Sequence, residues 1–171
     1  MSLSLFPENT MASCQFSPDR RHRYTWIRTF DQGEKTVLFV MLNPSTADET
    51  QEDPTVRRCI SFAKRNEFSR LIVCNIFALR STDPRALYVS ELADAVGPEN
   101  DVYLVQSANM AHQIICAWGT HGALHQRGQE VAQLLKETGK PLHVLRFTAH
   151  RYPAHPLYLP NHLVPKIWRN P

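Results

Sequence analysis

The sequence predicts an α/β fold: a three-layer α/β/α sandwich around a central, mainly parallel four-stranded sheet, with an added N-terminal antiparallel strand. Three observations carry that expectation. Short apolar runs of strand composition recur at Thr36 to Leu42, Leu71 to Phe77, Gln113 to Ala117 and Leu142 to Phe147. Stretches of helical spacing with recognisable start signals separate them. Each run ends in a polar or glycine-rich loop, so strands and helices alternate and right-handed crossovers make the strands parallel.

The 171 residues fit one domain, and 43% hydrophobic content allows a sizeable core. At 20% charged residues the chain is not of disordered composition. A formal net charge of +3 permits a polyanionic partner without demanding one. Cys14, Cys59, Cys74 and Cys116 form no CxxC pair, so neither a zinc knuckle nor a disulfide framework is expected. Cys74 and Cys116 read as small core residues. The N-terminus lacks a basic-then-apolar signal, and no apolar run nears the ~20 residues of a membrane span. A cytoplasmic protein with no membrane partner is the expectation.

Residues 1–22 are polar, contain Pro7 and Pro18, and read as an N-terminal arm. Residues 23–171 form the single domain. Arg23 to Phe30 alternates as a strand does. Asp31 to Lys35 is a turn, which suggests a hairpin with the strand Thr36 to Leu42. Asp53 at N-cap and Pro54 at N1 then start a helix to about residue 66. Val56, Cys59, Ile60 and Ala63 lie on its inner face, and Arg57, Arg58, Lys64 and Arg65 on its outer face. Leu71 to Phe77 is a buried strand interrupted by Asn75. After a long loop and a short helical turn at 84–91, Gly97-Pro98 opens a helix to Met110, with Val102, Val105 and Ala108 inward. Gln113 to Ala117 is the third buried strand. The turn Trp118-Gly119-Thr120-His121-Gly122 leads to a helix from about Ala123 to Lys136, stopped by Gly139-Lys140-Pro141. The strand Leu142 to Phe147 and a loop through His150, His155 and Pro156 follow. An amphipathic piece ends at Ile167-Trp168.

In a parallel sheet the loops after the four core strands share one edge, where open α/β sheets bind ligands. Asn43-Pro44-Ser45-Thr46, Asn75 through Asp83, Trp118 through Gly122 and His150 through Pro156 therefore converge, which suits a small-molecule or base pocket. There is no GxGxxG, GxxxxGK[ST] or GxSxG, so dinucleotide, P-loop and α/β-hydrolase readings fail. His121 and His125 share a possible helix face, yet no acidic residue accompanies them. No metal and no cofactor are expected.

Leu42-Asn43-Pro44-Ser45-Thr46-Ala47-Asp48, Asp53-Pro54-Thr55-Val56-Arg57-Arg58-Cys59, Asn75 through Pro84, Pro98-Glu99-Asn100-Asp101, Ala117-Trp118-Gly119 and His155-Pro156-Leu157-Tyr158-Leu159 resemble the bacterial and phage family called domain of unknown function 1643. The resemblance covers about residues 23–160. The same loops, in the same order, more distantly resemble the uracil-DNA glycosylase superfamily, above all its mismatch-specific branch. There the first strand ends in Gly-Ile-Asn-Pro-Gly, matched by Met41-Leu42-Asn43-Pro44-Ser45. An Asn and a later Asn-Arg-Asp-Pro follow the second strand, matched by Asn75 and Arg80-Ser81-Thr82-Asp83-Pro84. A small turn follows the third, matched by Ala117-Trp118-Gly119. His-Pro-Ser follows the last, matched by His155-Pro156-Leu157. Two positions depart: Leu157 replaces a phosphate-binding Ser, and Ser45 replaces a glycine that eases close backbone approach.

This second resemblance implies a uracil-DNA glycosylase-like sandwich and roles for the edge residues. Glycosidic cleavage needs a group that positions water, one that reads the base edge, and a donor near the departing oxygen. Asn43 would position water or contact the base; alternatively, Asn43-Pro44 only starts a turn. An amide is no strong base, and Asp48 or Asp53 could activate water better, although Asp53 also reads as the helix cap. Asn75 offers the donor and acceptor a pyrimidine edge requires, or satisfies loop backbone. His155 would donate to the developing base anion, or lie in a surface His-Pro turn. Ser45 lies beside the base site, and Phe77 or Trp118 could stack on a base, unless both are core. Arg57, Arg58 and Arg80 could meet backbone phosphates, or be solvated. The expected function is nucleobase or nucleotide processing, with nucleic acid or nucleotide as partner and N-glycosidic hydrolysis as the reaction. The alternatives are non-catalytic binding, or another hydrolase using Asp48 or His155.

Overall fold

The apolar run at residues 36–41 becomes the central strand β3 (Thr36–Met41), and its alternation divides two cores. Val37, Phe39 and Met41 pack on one side with Val56, Cys59, Phe62 and Ala63 of helix α1 (Pro54–Arg65). Leu38 and Val40 pack on the other with Leu104 and Ala108 of α4 (Asn100–Met110) and Val131, Ala132 and Leu135 of α5 (Arg127–Lys136). A strand buried on both faces needs apolar residues at every position, which is why the run is continuous. Helices on both sides of one sheet make three layers.

The computed structural model describes residues 12–171. Its remaining strands are β1 (Ala12–Phe16), β2 (Arg23–Thr29), β4 (Arg70–Asn75), β5 (Gln113–Cys116), β6 (Leu142–Val144) and β7 (Lys166–Ile167). They join one seven-stranded mixed sheet in the order β1-β2-β4-β3-β5-β6-β7. The four central strands β4, β3, β5 and β6 are parallel, and β1, β2 and β7 run antiparallel to their neighbours. The expected parallel core of four is present, and antiparallel strands extend it on both sides. Residues 12–16, within the segment read as an arm, form the strand next to β2; residues 1–11 lie outside the described residues. No helix of the described residues is long and apolar enough to cross a membrane.

The expected β2–β3 hairpin does not form. β4 lies between them, with Trp26 opposite Val73 on one side and Phe39 opposite Val73 on the other. The 30–35 connection straddles the start of β4: Phe30 N–H donates to Ser69 O, and Ser69 N–H donates to Lys35 O. A six-residue link, 30–35, can therefore step past one strand, and β3 gains parallel neighbours on both edges.

Two helical boundaries also differ. Gly97 ends a short helix α3 (Leu92–Val96), preceded by α2 (Ala86–Val89), and α4 starts only at Asn100. Val102 points outward at 57% exposure, while Leu104, Ser107 and Ala108 are buried. Residues 120–126 form a kinked 3-10 segment in which His125 has φ +52°, so His121 and His125 do not share an α-helical face. His121 Nδ1 instead lies 2.9 Å from the Tyr88 hydroxyl.

Candidate functional site

The carboxyl edge of the parallel strands gathers the polar loops, as the alternation of strands and helices requires. Asn43 leaves β3 and is half-buried. Its amide nitrogen donates to Ser81 O at 3.0 Å, Pro44 O at 3.2 Å and Leu79 O at 3.4 Å. Ser81 N–H returns a bond to Pro44 O at 2.9 Å. Asn43 thus stitches the loop after β3 to the loop after β4. Its NH₂ group is occupied by backbone, which leaves its amide oxygen as the group able to orient water or meet a base. Ser45 is half-buried in the same loop.

Asp48 is also occupied. One carboxylate oxygen accepts from Thr50 N–H, Gln51 N–H and the Thr50 hydroxyl at 2.8 to 2.9 Å. Those bonds hold its carboxyl below the ordinary carboxylate range, which weakens it as a base. Its backbone carbonyl accepts from the Trp26 indole N–H at 2.9 Å, tying the loop to β2.

Asn75 ends β4, is 2% exposed, and its amide oxygen is buried without a hydrogen-bond partner among the described residues. A buried acceptor left open costs free energy unless something fills it. The backbone around it is fully engaged. Asn100, wholly buried in the first turn of α4, donates to Asn75 O at 2.9 Å and Ile76 O at 3.2 Å. Buried Arg127 donates its Nε–H to Ile76 O at 2.9 Å and its other nitrogens to Glu130 and Asp101. That network locks the exit of β4 against α4 and α5.

His155 follows the last parallel strand. Gly119 at φ +74° turns the chain after β5 and donates its N–H to Pro153 O at 2.7 Å. That left-handed turn suits glycine, and it brings residue 119 alongside His155, whose Cβ would lie 3.6 Å from a Cβ built at 119. The His155 Nδ1 accepts from Leu157 N–H at 3.3 Å, so the neutral ring carries its proton on Nε2. Burial pushes its pKa down to about 4, against the attraction of nearby Asp53. At neutral pH the ring is therefore an uncharged donor.

Asp53 is 7% exposed, caps α1 through Val56 N–H at 2.8 Å, and is close enough to act electrostatically on both His155 and Arg23. Arg23 was not legible as a site residue. It is 2% exposed, donates to Ala47 O at 2.8 Å, and its Nε–H has no partner among the described residues. Burial works against its charge and lowers its pKa. Its direction comes from a bulge. Gln15 pairs with Thr25 and Phe16 with Arg23, leaving Tyr24 extra. A bulge re-aims the side chains beside it. Tyr24 then stacks on Tyr103 of α4, 4.9 Å between ring centroids, and Arg23 reaches the loop after β3 on the opposite side. Plain alternation along Arg23-Tyr24-Thr25-Trp26 carries no sign of that bulge.

The remaining expected site residues lie as follows. Phe77 has no exposed surface and belongs to the core between sheet, α4 and α5, so it offers no face for stacking. Trp118 is 2% exposed and wedged by Gly122 and Gly128, whose added Cβ atoms would lie 2.1 and 2.7 Å from its pyrrole edge. Arg58 is engaged inside the molecule: it bonds to Leu159 O and Asn161 Oδ1 and holds the 156–161 loop on α1. Arg57 is exposed and donates to Glu52 O at 2.7 Å. Arg80 is half-buried, donates to Arg20 O at 3.2 Å and lies 4.9 Å from the Phe16 ring centre.

The fold and edge define an α/β protein in which Arg23, Asn75, Asp53 and His155 meet the carboxyl ends of a parallel core. The chain belongs to the family described as Protein of unknown function (DUF1643), whose model matches residues 23–157. No curated protein and no solved structure matches the chain.

Proposed function

We propose that this edge recognises a nucleobase, and that the reaction it serves is hydrolysis of an N-glycosidic bond in DNA, as the resemblance to the uracil-DNA glycosylase superfamily implies. The observation that carries the reading is the buried amide oxygen of Asn75, left without a partner among the described residues, at the same strand edge as the half-buried ring of His155. Asn75 presents an amide oxygen with no partner, and His155 presents a neutral Nε2–H. Amide and neutral imidazole are what an uncharged heterocycle with alternating donors and acceptors requires. A neutral donor with a depressed pKa also favours the anion of a departing base, because its strength as a donor grows with the charge that develops. Buried Arg23 adds a cation beside Asp53 at the same edge. The three-layer sandwich with four parallel central strands agrees with the superfamily's architecture.

Water activation is the weaker half of the site. Asn43 and Asp48 are both held by loop hydrogen bonds, which leaves Asp53, at the cost of its helix cap. That arrangement supports a second reading, in which the site binds a nucleobase or nucleotide and cleaves nothing.

One assay separates them. The protein is incubated with DNA containing uracil, hypoxanthine or a mismatch, and abasic sites and binding are both measured. The glycosylase reading expects abasic product that falls about 100-fold in Asn75→Ala and in His155→Ala. Binding without product, weakened by Asn75→Ala, is the outcome of the second reading. The absence of both product and Asn75-dependent binding refutes nucleobase recognition at this edge.

A further inference from the structure

We propose that a second cavity, beside α5, binds a planar aromatic phosphate: a mononucleotide or the equivalent unit of a nucleic-acid strand. The cavity measures about 430 Å³, and none of Arg23, Asn75 or His155 lines it. That volume lies within the ~300–1,000 Å³ of small-molecule sites.

Its walls are aromatic. Trp118, Phe147, Tyr152 and Trp168 line it. The Trp168 ring lies 5.8 Å from Trp118 at 57° and 5.9 Å from Phe147 at 71°. The first contact is tilted and the second edge-to-face, so the three rings pack as one aromatic wall. The backbone at Trp168 is fixed: its main-chain N–H donates to Leu142 O at 2.7 Å, and β7 pairs with β6 just before it. Phe147, Tyr152 and Trp168, which keep exposed surface, supply the aromatic wall a flat ligand can pack on, and Trp118 lies buried within it.

The rim is cationic. Arg151 and Arg169 line the cavity, both are exposed, and neither side chain makes an ion pair or hydrogen bond among the described residues. No acidic residue is among the lining. The nearby carboxylate of Glu130 is occupied by buried Arg127 at 2.9 Å. Arg151 stands at the tip of a loop closed by Thr148, whose carbonyl accepts from Arg151 N–H at 2.9 Å and whose hydroxyl accepts from Tyr152 N–H at 3.1 Å.

The third wall is the start of α5. Gly128 and Gln129 of its first turn line the cavity, and no side chain caps the helix. The Arg127 N–H is taken by Gly122 O and Leu124 O, so what the helix start adds for an anion is the positive end of its dipole. Trp118 adds an independent sign: it is 2% exposed, lines the cavity, and its indole N–H has no hydrogen-bond partner among the described residues. A flat ring against Trp168 with a phosphate toward Arg151, Arg169 and the start of α5 uses the aromatic wall and the cationic rim together. Guanidinium forks match phosphate geometry, so the charge contributes orientation as well as affinity.

The proposal stands apart from the carboxyl-edge reading, and one titration keeps their failures separate. The full chain is titrated with nucleoside 5′-monophosphates, nucleosides, inorganic phosphate and a short oligothymidylate, reading tryptophan fluorescence. Saturable quenching is expected with the monophosphates or the oligonucleotide, about tenfold tighter than with nucleoside or phosphate alone. Whichever of the two binds more tightly identifies the source of the ligand. Arg151→Ala and Arg169→Ala, both at exposed positions, should each weaken it about tenfold, and Asn75→Ala should leave it unchanged. Binding as tight in both arginine variants as in the native protein, loss of quenching in Asn75→Ala, or no quenching with any ligand overturns the cavity assignment.

Discussion

His155 shows how burial converts an ordinary side chain into a specific one. In an unfolded chain its pKa is about 6.5; in the folded protein burial lowers it to about 4. Between those values the unfolded state binds more protons, so stability falls as pH falls. The contribution is complete above about pH 6.5 and is lost by about pH 4, up to about 3 kcal/mol. Urea unfolding of the native protein should therefore lose more stability between pH 7 and pH 4.5 than His155→Asn does. Parallel losses in the two proteins would mean that His155 titrates normally. Asn43 carries the opposite lesson. Its position after a strand and before Pro44 was compatible with a turn or a site, and the three carbonyls it bonds show that it clamps the loops. Those carbonyls belong to residues 44, 79 and 81, and two of them are more than thirty-five residues away. Local sequence does not reveal such partners.

Among the elements, α1 was legible almost to the residue, because Asp53, Pro54 and the spacing of Val56, Cys59 and Ala63 are all local signals. The start of α5 was not. Gly122 and Gly128 read as turn and helix residues, yet their shared task is to admit the Trp118 indole. A Cβ at residue 122 would lie 2.1 Å from the Trp118 Cδ1 atom, so Gly122→Ala must displace the ring or the 3-10 segment. Overpacking of this kind costs about 1–3 kcal/mol. Thermal unfolding should register that loss, together with a changed tryptophan emission. A variant as stable as the native protein, with unchanged emission, would show that the indole does not occupy this slot.

For the whole molecule, β3 has hydrogen-bonded neighbours on both edges and helices on both faces. β7 has two residues, both exposed, bonded to three-residue β6. Protection from exchange follows burial and bonding. The amides of Leu38, Phe39 and Val40 should exchange only through global unfolding, and that of Ile167 at least about 100-fold faster. Equal protection would mean that the C-terminal segment folds as one unit with the core.

By itself the sequence determined the four core strands, their order with the helices, the start of α1 and the gathering of polar loops at one edge. These follow from hydrophobic period and from capping residues a few positions apart, which act before any distant contact forms. Only the tertiary structure decided that β4 separates β2 from β3, that a bulge at Tyr24 turns Arg23 toward the loop after β3, and that Gly122 and Gly128 bury the Trp118 indole. Periodicity specifies which faces are buried, not which neighbour buries them. Those neighbours are chosen by pairing and packing between residues far apart in the chain.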